Sequence, residues 1–197
     1  MLQIETGFAQ PVHHAQHCFR QILKAFSEPG SRVSLDKHRG FAPLNPAASQ
    51  VIMSLCDQHT GLYLSPELAK PTDLAHAVAN LAFHNGVQRT TLQQADFVVI
   101  NSTQTIDLMQ CKAGSDMSPE HSAMLLVQTE DLDSGPRFRL SGPGIQHPII
   151  RQFGELGASL LDYLSKPSHH YPLGLEFVFC HQQSLLAISR TTQLERI

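Results

Sequence analysis

Phe97-Val98-Val99-Ile100 is a short, unbroken apolar run rich in β-branched residues, and its reading decides the fold class. A half-exposed strand alternates apolar and polar residues, whereas this run is apolar on both parities, as in a strand buried on both faces. Such strands belong to sheets covered by other layers on each side. Outward from it, Leu62–Leu64, Ala123–Val127, Phe138–Leu140, Leu175–Cys180 and Leu185–Ile188 also read as strands, and Arg32–Leu35 as a short strand or turn. Two hairpins are expected, one turning at Asp131–Pro136 and one at His181–Ser184. Helical patterns separate the strands: Asn45-Pro46 opens a helix through Cys56, with Asn as N-cap and Pro at the first position. Thr72-Asp73 caps another through Asn80, after which the chain crosses Leu81–His84 and turns at Asn85-Gly86. Further helices are expected at Gln104–Gln110 and Ile149–Leu164. Strands alternating with helices point to one domain over residues 1–197, of class α/β, a three-layer α/β/α sandwich on a mixed sheet.

The first helix has both ends marked. Pro11 stands just before it, and Pro29-Gly30 stops it. Phe19, Ile22, Leu23 and Phe26 recur at i, i+3, i+4, i+7, an apolar stripe expected to be buried against the body of the domain.

Composition excludes several function classes. Fourteen basic residues face 17 acidic ones, and aromatics make up 7% with no Trp, so neither a basic stripe nor a base-stacking platform for nucleic acid is present. Cys18, Cys56, Cys111 and Cys180 are scattered without a CxxC pair; they read as small buried hydrophobes rather than zinc ligands or disulfides. No apolar stretch approaches the ~20 residues of a membrane span, and no signal-peptide pattern opens the chain, so a cytoplasmic protein is expected.

Candidate chemistry is sparse. Gly142-Pro143-Gly144 follows a strand and is expected to precede a helix, but His147 stands where a dinucleotide fingerprint needs its third glycine; a sharp turn is the better reading. His13 and His17 share a helix face at i, i+4 without a third ligand, so no metal site is assigned. His84, beside the Asn-Gly turn at an expected strand end, is either a site residue or a satisfied structural histidine. Arg190-Thr191-Thr192 is the best anion-binding candidate, since a guanidinium fork with two neighbouring hydroxyls suits phosphate or phosphonate oxygens. The alternative is a polar strand end facing water or a partner, with the closing strand Leu185–Ile188 an open edge. No nucleophile–base pair or catalytic residue is assigned.

Gly7–Val12, Ala15–Arg20 and Ser27–Gly30, then Phe83–Gly86, Arg139–Ile145, Tyr171–Leu175 and Arg190–Thr192, together resemble the blocks of the phosphonate metabolism protein H family, a component of the bacterial carbon–phosphorus lyase system. Ala82 stands where that family often has Arg, and Ser189 where it usually has Pro. The resemblance implies a subunit of the assembly that transfers alkylphosphonate to the ribose of ATP with loss of adenine, giving a ribose alkylphosphonate triphosphate. ATP is then a substrate of the complex, not a cofactor of this chain. It implies partnership with the other lyase subunits, a homodimer when isolated, and an accessory rather than independently catalytic role. It also implies a fold similar to that of pyridoxal-phosphate transferases, without the cofactor: Lys24, Lys37, Lys70, Lys112 and Lys166 lie in no context suited to a Schiff base. The rival is a stand-alone enzyme binding nucleotide or phosphonate at His84, Arg190, Thr191 and Thr192 across a homodimer interface.

Overall fold

The run at Phe97 lies deep inside a sheet of seven strands. The computed structural model describes residues 3–197 and orders the chain as α1 (Pro11–Ser27), β1 (Val33–Ser34), α2 (Pro46–Leu55), β2 (Gly61–Leu64), α3 (Pro71–Asn85), β3 (Gln88–Arg89), β4 (Phe97–Asn101), β5 (Met124–Gln128), β6 (Phe138–Ser141), β7 (Ile149–Arg151), α4 (Ala158–Ser165), β8 (Glu176–His181), β9 (Ser184–Ile188) and β10 (Gln193–Arg196). The large sheet has the order β1-β9-β8-β5-β4-β2-β3. Strands β3, β2, β4, β5 and β8 run parallel, and β9 and β1 continue antiparallel, so the sheet is mixed. Register aligns Leu62, Phe97, Met124 and Glu176, which brings the amino ends of the parallel strands to one edge.

Each face of the sheet carries its own core. Val99, Leu126 and Val178 face α1, α2 and α3, with Ile22, Val51, Ile52, Leu74 and Leu81. Val98, Ile100, Leu125 and Val127 face the opposite layer, where Phe153 stacks on Phe179 at 4.5 Å between ring centroids. That layer holds α4 together with a second, three-stranded antiparallel sheet, β10-β6-β7, so one outer layer is part helix and part sheet rather than purely helical. No helix among the described residues is long and apolar enough to cross a membrane.

Local signals hold where the chemistry is local. Asn45 caps α2, its side chain accepting from the Ala48 amide at 2.9 Å, and the four cysteines are buried and unbridged. Several expectations are corrected. Pro11 is the first helical residue of α1, and its buried line is Cys18, Ile22 and Ala25. Of the expected stripe, Ile22 is buried and Phe26 packs half-buried on the core, while Phe19 and Leu23 are 48% and 56% exposed, because small Cys18 and Ala25 turn the face of α1 onto the core. Helix α3 starts at Pro71, continues through Leu81–His84 and ends at Gly86, whose φ of +78° forms the left-handed cap; His84 is thus in the last turn of a helix, not at a strand end.

Gln104–Gln110 is largely irregular, with one 3₁₀ turn at Leu108–Gln110, since the segment drops Ile106 and Leu108 into the second core. Asp131 takes the amides of Asp133 and Ser134, both at 2.7 Å, and turns the chain out of the large sheet. Both flanks of β5 are occupied by β4 and β8, so β6 joins the small sheet and no β5–β6 hairpin forms. Ile149–Arg151 pairs with β6 instead of starting a helix, and Gly142-Pro143-Gly144 therefore joins two strands. The chain stays non-helical until Ala158: Gly154 takes a left-handed φ of +82°, and Gly157 is the N-cap of α4. Finally, β9 is not an edge: it lies between β8 and β1, and β10 follows it.

Candidate functional site around Arg190

The two sequence candidates lie apart, in different clefts. His84 holds the segment before α1. Its Nε2 donates to the Glu5 carbonyl at 2.8 Å, while Nε2 of His76 and of His38 donate to the carbonyls of Gln3 and Thr6, each at 2.8 Å. Asn80, fully buried, accepts from the Glu5 amide at 2.6 Å. Residues 3–6 are thereby laid across α3 as a strap. The His84 ring stacks on Phe41 at 5.6 Å, and a Cβ on Gly7 would sit 2.9 Å from it, so glycine is needed where the strap passes the ring. His84 thus clamps the strap to the end of α3.

Arg190 follows β9 and turns back to the first residue of β8. Its Nε donates to Glu176 at 2.6 Å and its amide to the other carboxylate oxygen at 3.0 Å; Nη1 donates to the carbonyls of Pro119 and Pro172. The side chains of Arg190 and Glu176 are only 15% and 17% exposed. The fork expected to receive an anion is thus engaged by a carboxylate of the same chain. The hydroxyls of Thr191 and Thr192 both bond Ser189 Oγ, at 2.8 and 3.1 Å, and Thr192 is buried, so the three residues form no common cradle.

Around Arg190 lies a cleft of about 650 Å³ at the amino ends of the parallel strands. His59, Asp96, Glu120, His121 and Glu176 line it. Lys112 donates to Asp96 at 2.6 Å, while the second Asp96 oxygen accepts from the Gly61 amide at 2.7 Å. Asp96 is paired with Lys112, Glu176 with Arg190, and Glu120 lies 4.0 Å from His121, so the lining is polar without a strong charge of either sign, which suits a polar partner surface. On the other side of Arg190, Tyr163 accepts from the Leu175 amide at 3.3 Å and meets His169 Nδ1 at 2.9 Å. Burial pushes the Tyr163 phenol up to about 12 and lowers His169, so the phenol keeps its proton and donates it to a neutral imidazole.

Sequence reasoning missed Glu176. Its signal was the β8–β9 hairpin, whose register sets Phe177 opposite Ile188 and leaves Glu176 next to the residues following β9. His13 is exposed, and His17 stands 4.0 Å from Asp36. None of the five lysines is buried. Among the described residues no three His, Cys, Asp or Glu side chains are grouped to hold a metal.

The model of the bacterial phosphonate metabolism protein (PhnH) family matches residues 6–195. The chain belongs to the PhnH family. It is similar, at 33% identity over 98% of its length and 97% of the relative's, to the alpha-D-ribose 1-methylphosphonate 5-triphosphate synthase subunit PhnH of Rhizobium meliloti (strain 1021). HtxG of Stutzerimonas stutzeri, whose name places it with C-P lyase subunit proteins, is 27% identical over 91% of the chain and 85% of its own. In this PhnH-family chain the blocks that carry the resemblance touch one another. Gly7 abuts His84; a Cβ on Gly174 would meet that of Arg190 at 3.1 Å, and one on Gly142 the Thr191 carbonyl at 2.9 Å. Gly144 packs on Ser27 and Pro29. The blocks are the joints between layers.

Proposed function

We propose that this chain is the PhnH component of a carbon–phosphorus lyase core complex. It supports the transfer of alkylphosphonate to the ribose of ATP with loss of adenine, as part of a ribose 1-methylphosphonate 5-triphosphate synthase. The observation that carries this reading is the near full-length similarity to the synthase subunit of Rhizobium meliloti. The role we infer is accessory and structural. Arg190 and His84, the residues best suited by type to bind a phosphonate, are engaged within the chain, which supports a scaffold over an independent catalyst. The working compartment is the cytoplasm, the isolated chain forms a homodimer, and the fold is kin to that of pyridoxal-phosphate transferases without their cofactor.

A tagged chain recovered from phosphate-starved cells tests the proposal. The expected result is co-purification with the other lyase subunits in fixed stoichiometry, and loss of growth on methylphosphonate when the chain is deleted. Recovery of the chain alone, with growth intact in the deletion strain, overturns it. Micromolar ATP or methylphosphonate binding by the isolated chain, abolished by substitution of Arg190, would establish the stand-alone enzyme instead.

A further inference from the structure

The seam between the edges of the two sheets holds a cavity of about 300 Å³ that the reading above leaves unused. Arg32, just before β1, and Arg151, at the end of β7, both line it, together with buried Leu186 and exposed Ile150. Each guanidinium is fixed in place. Arg151 Nε donates to the Gly30 carbonyl at 2.6 Å and Nη1 to the Ile150 carbonyl at 2.8 Å. Arg32 meets both oxygens of Asp133, at 2.7 and 3.2 Å, and the Leu132 carbonyl at 3.2 Å.

Carbonyls orient a guanidinium without cancelling its charge, and Arg151 has no carboxylate partner among the described residues. Its Nη2, like Arg32 Nε, also has no acceptor there. Arg32 is paired with the largely exposed Asp133, so the uncompensated positive charge of the cavity is that of Arg151. At the Arg190 cleft, by contrast, both cations are met by carboxylates, Arg190 by Glu176 and Lys112 by Asp96. An oriented guanidinium with no carboxylate partner, unused N–H groups beside it and a partly apolar lining are conditions under which arginine binds tetrahedral oxyanions.

We propose that this cavity binds a phosphate-type oxyanion, either a free phosphate or phosphonate ion or the phosphoryl end of a nucleotide, through Arg151, with Arg32 beside it held back by Asp133. The inference rests on the cavity alone and stands whether or not the chain is a scaffold.

Calorimetric titration of the full chain at low ionic strength, with inorganic phosphate, methylphosphonate and ATP in separate arms, tests it. Phosphate is expected to bind. Arg151→Lys, which keeps the charge but loses the fork, should weaken binding about tenfold. Asp133→Asn, which removes the competing carboxylate, should tighten it several-fold; a gain of affinity is an outcome that misfolding cannot mimic. ATP binding well above phosphate identifies a nucleotide as the ligand, and equal or weaker ATP binding identifies the free ion. Absence of binding at millimolar phosphate overturns the proposal, as does an affinity that neither substitution moves.

Discussion

At the scale of the residue, one buried amide and one half-buried ion pair do work that hydrophobic packing cannot. Gln50, on α2, is fully buried. Its Nε2 donates to the carbonyls of Leu35, His38 and Pro46 at 2.6, 3.0 and 3.1 Å, and its Oε1 accepts from the Lys37 amide at 2.8 Å and the Cys18 thiol at 3.6 Å. One amide thus satisfies the irregular stretch after β1 and ties α1 to α2. Gln50→Leu keeps the volume but strands those backbone groups, so stability should fall by roughly 2–4 kcal/mol, read from the midpoint of urea unfolding. The Arg190–Glu176 pair acts differently, because each partner alone would be a poorly solvated charge. Arg190→Ala should cost about 3 kcal/mol, and the double variant Arg190→Ala/Glu176→Ala less than the sum of the singles. Strict additivity in that cycle would mean that the pair contributes no coupling and that the fork is free for a ligand after all.

At the scale of the element, what could be read in advance was what depends on near neighbours in sequence. The Asn45-Pro46 start of α2 was legible because cap and helix lie within one turn. The Phe97 strand was legible because a four-residue apolar run leaves little choice. Ile149-Ile150 was not: the same residues fit a helix stripe, and only pairing with Arg139 and Leu140 makes them a strand. The surroundings of the candidate residues were hidden for the same reason, since Glu176 and the Glu5 carbonyl, which engage Arg190 and His84, come from elsewhere in the chain. Helix α1 gives the sharpest contrast. Its apolar residues were legible, but not which of them face inward, because the face is set by the tight fit of Cys18 and Ala25. Phe19→Asp should therefore leave stability within about 0.5 kcal/mol, whereas Ile22→Asp should prevent folding. Thermal melts of the two purified variants decide this, and a large loss at Phe19 would show that the isolated chain covers that face. Together with exposed Val12, Leu23 and Phe83, Phe19 is surface that the proposed assembly would have to cover.

At the scale of the whole molecule, the burial of all four cysteines couples the fold to pH. Burial raises Cys18, Cys56 and Cys180 above the ordinary 9.0, and Cys111 up to about 12. The folded chain therefore keeps thiol protons that the unfolded chain releases. This contribution to stability is fully present below the unfolded value, near pH 9, and is lost as pH rises through it toward the folded values. Each thiol still protonated only in the folded state adds a slope of about 1.4 kcal/mol per pH unit. Tyr163 joins from its ordinary 10.0 upward, with the same sign. On the acid side, the Ser134 hydroxyl and the Asp133 and Ser134 amides hold Asp131 below 3.8, a small exposed contribution that is lost only as pH falls through that range. The asymmetry is testable by urea unfolding under reducing conditions. Stability should fall several-fold more steeply between about pH 9 and pH 11 than between about pH 6 and pH 8. Cys180→Ala should start from lower stability, through lost packing, yet show a shallower alkaline slope. An alkaline slope unchanged by that substitution would mean that the buried thiols are not what the pH dependence reports.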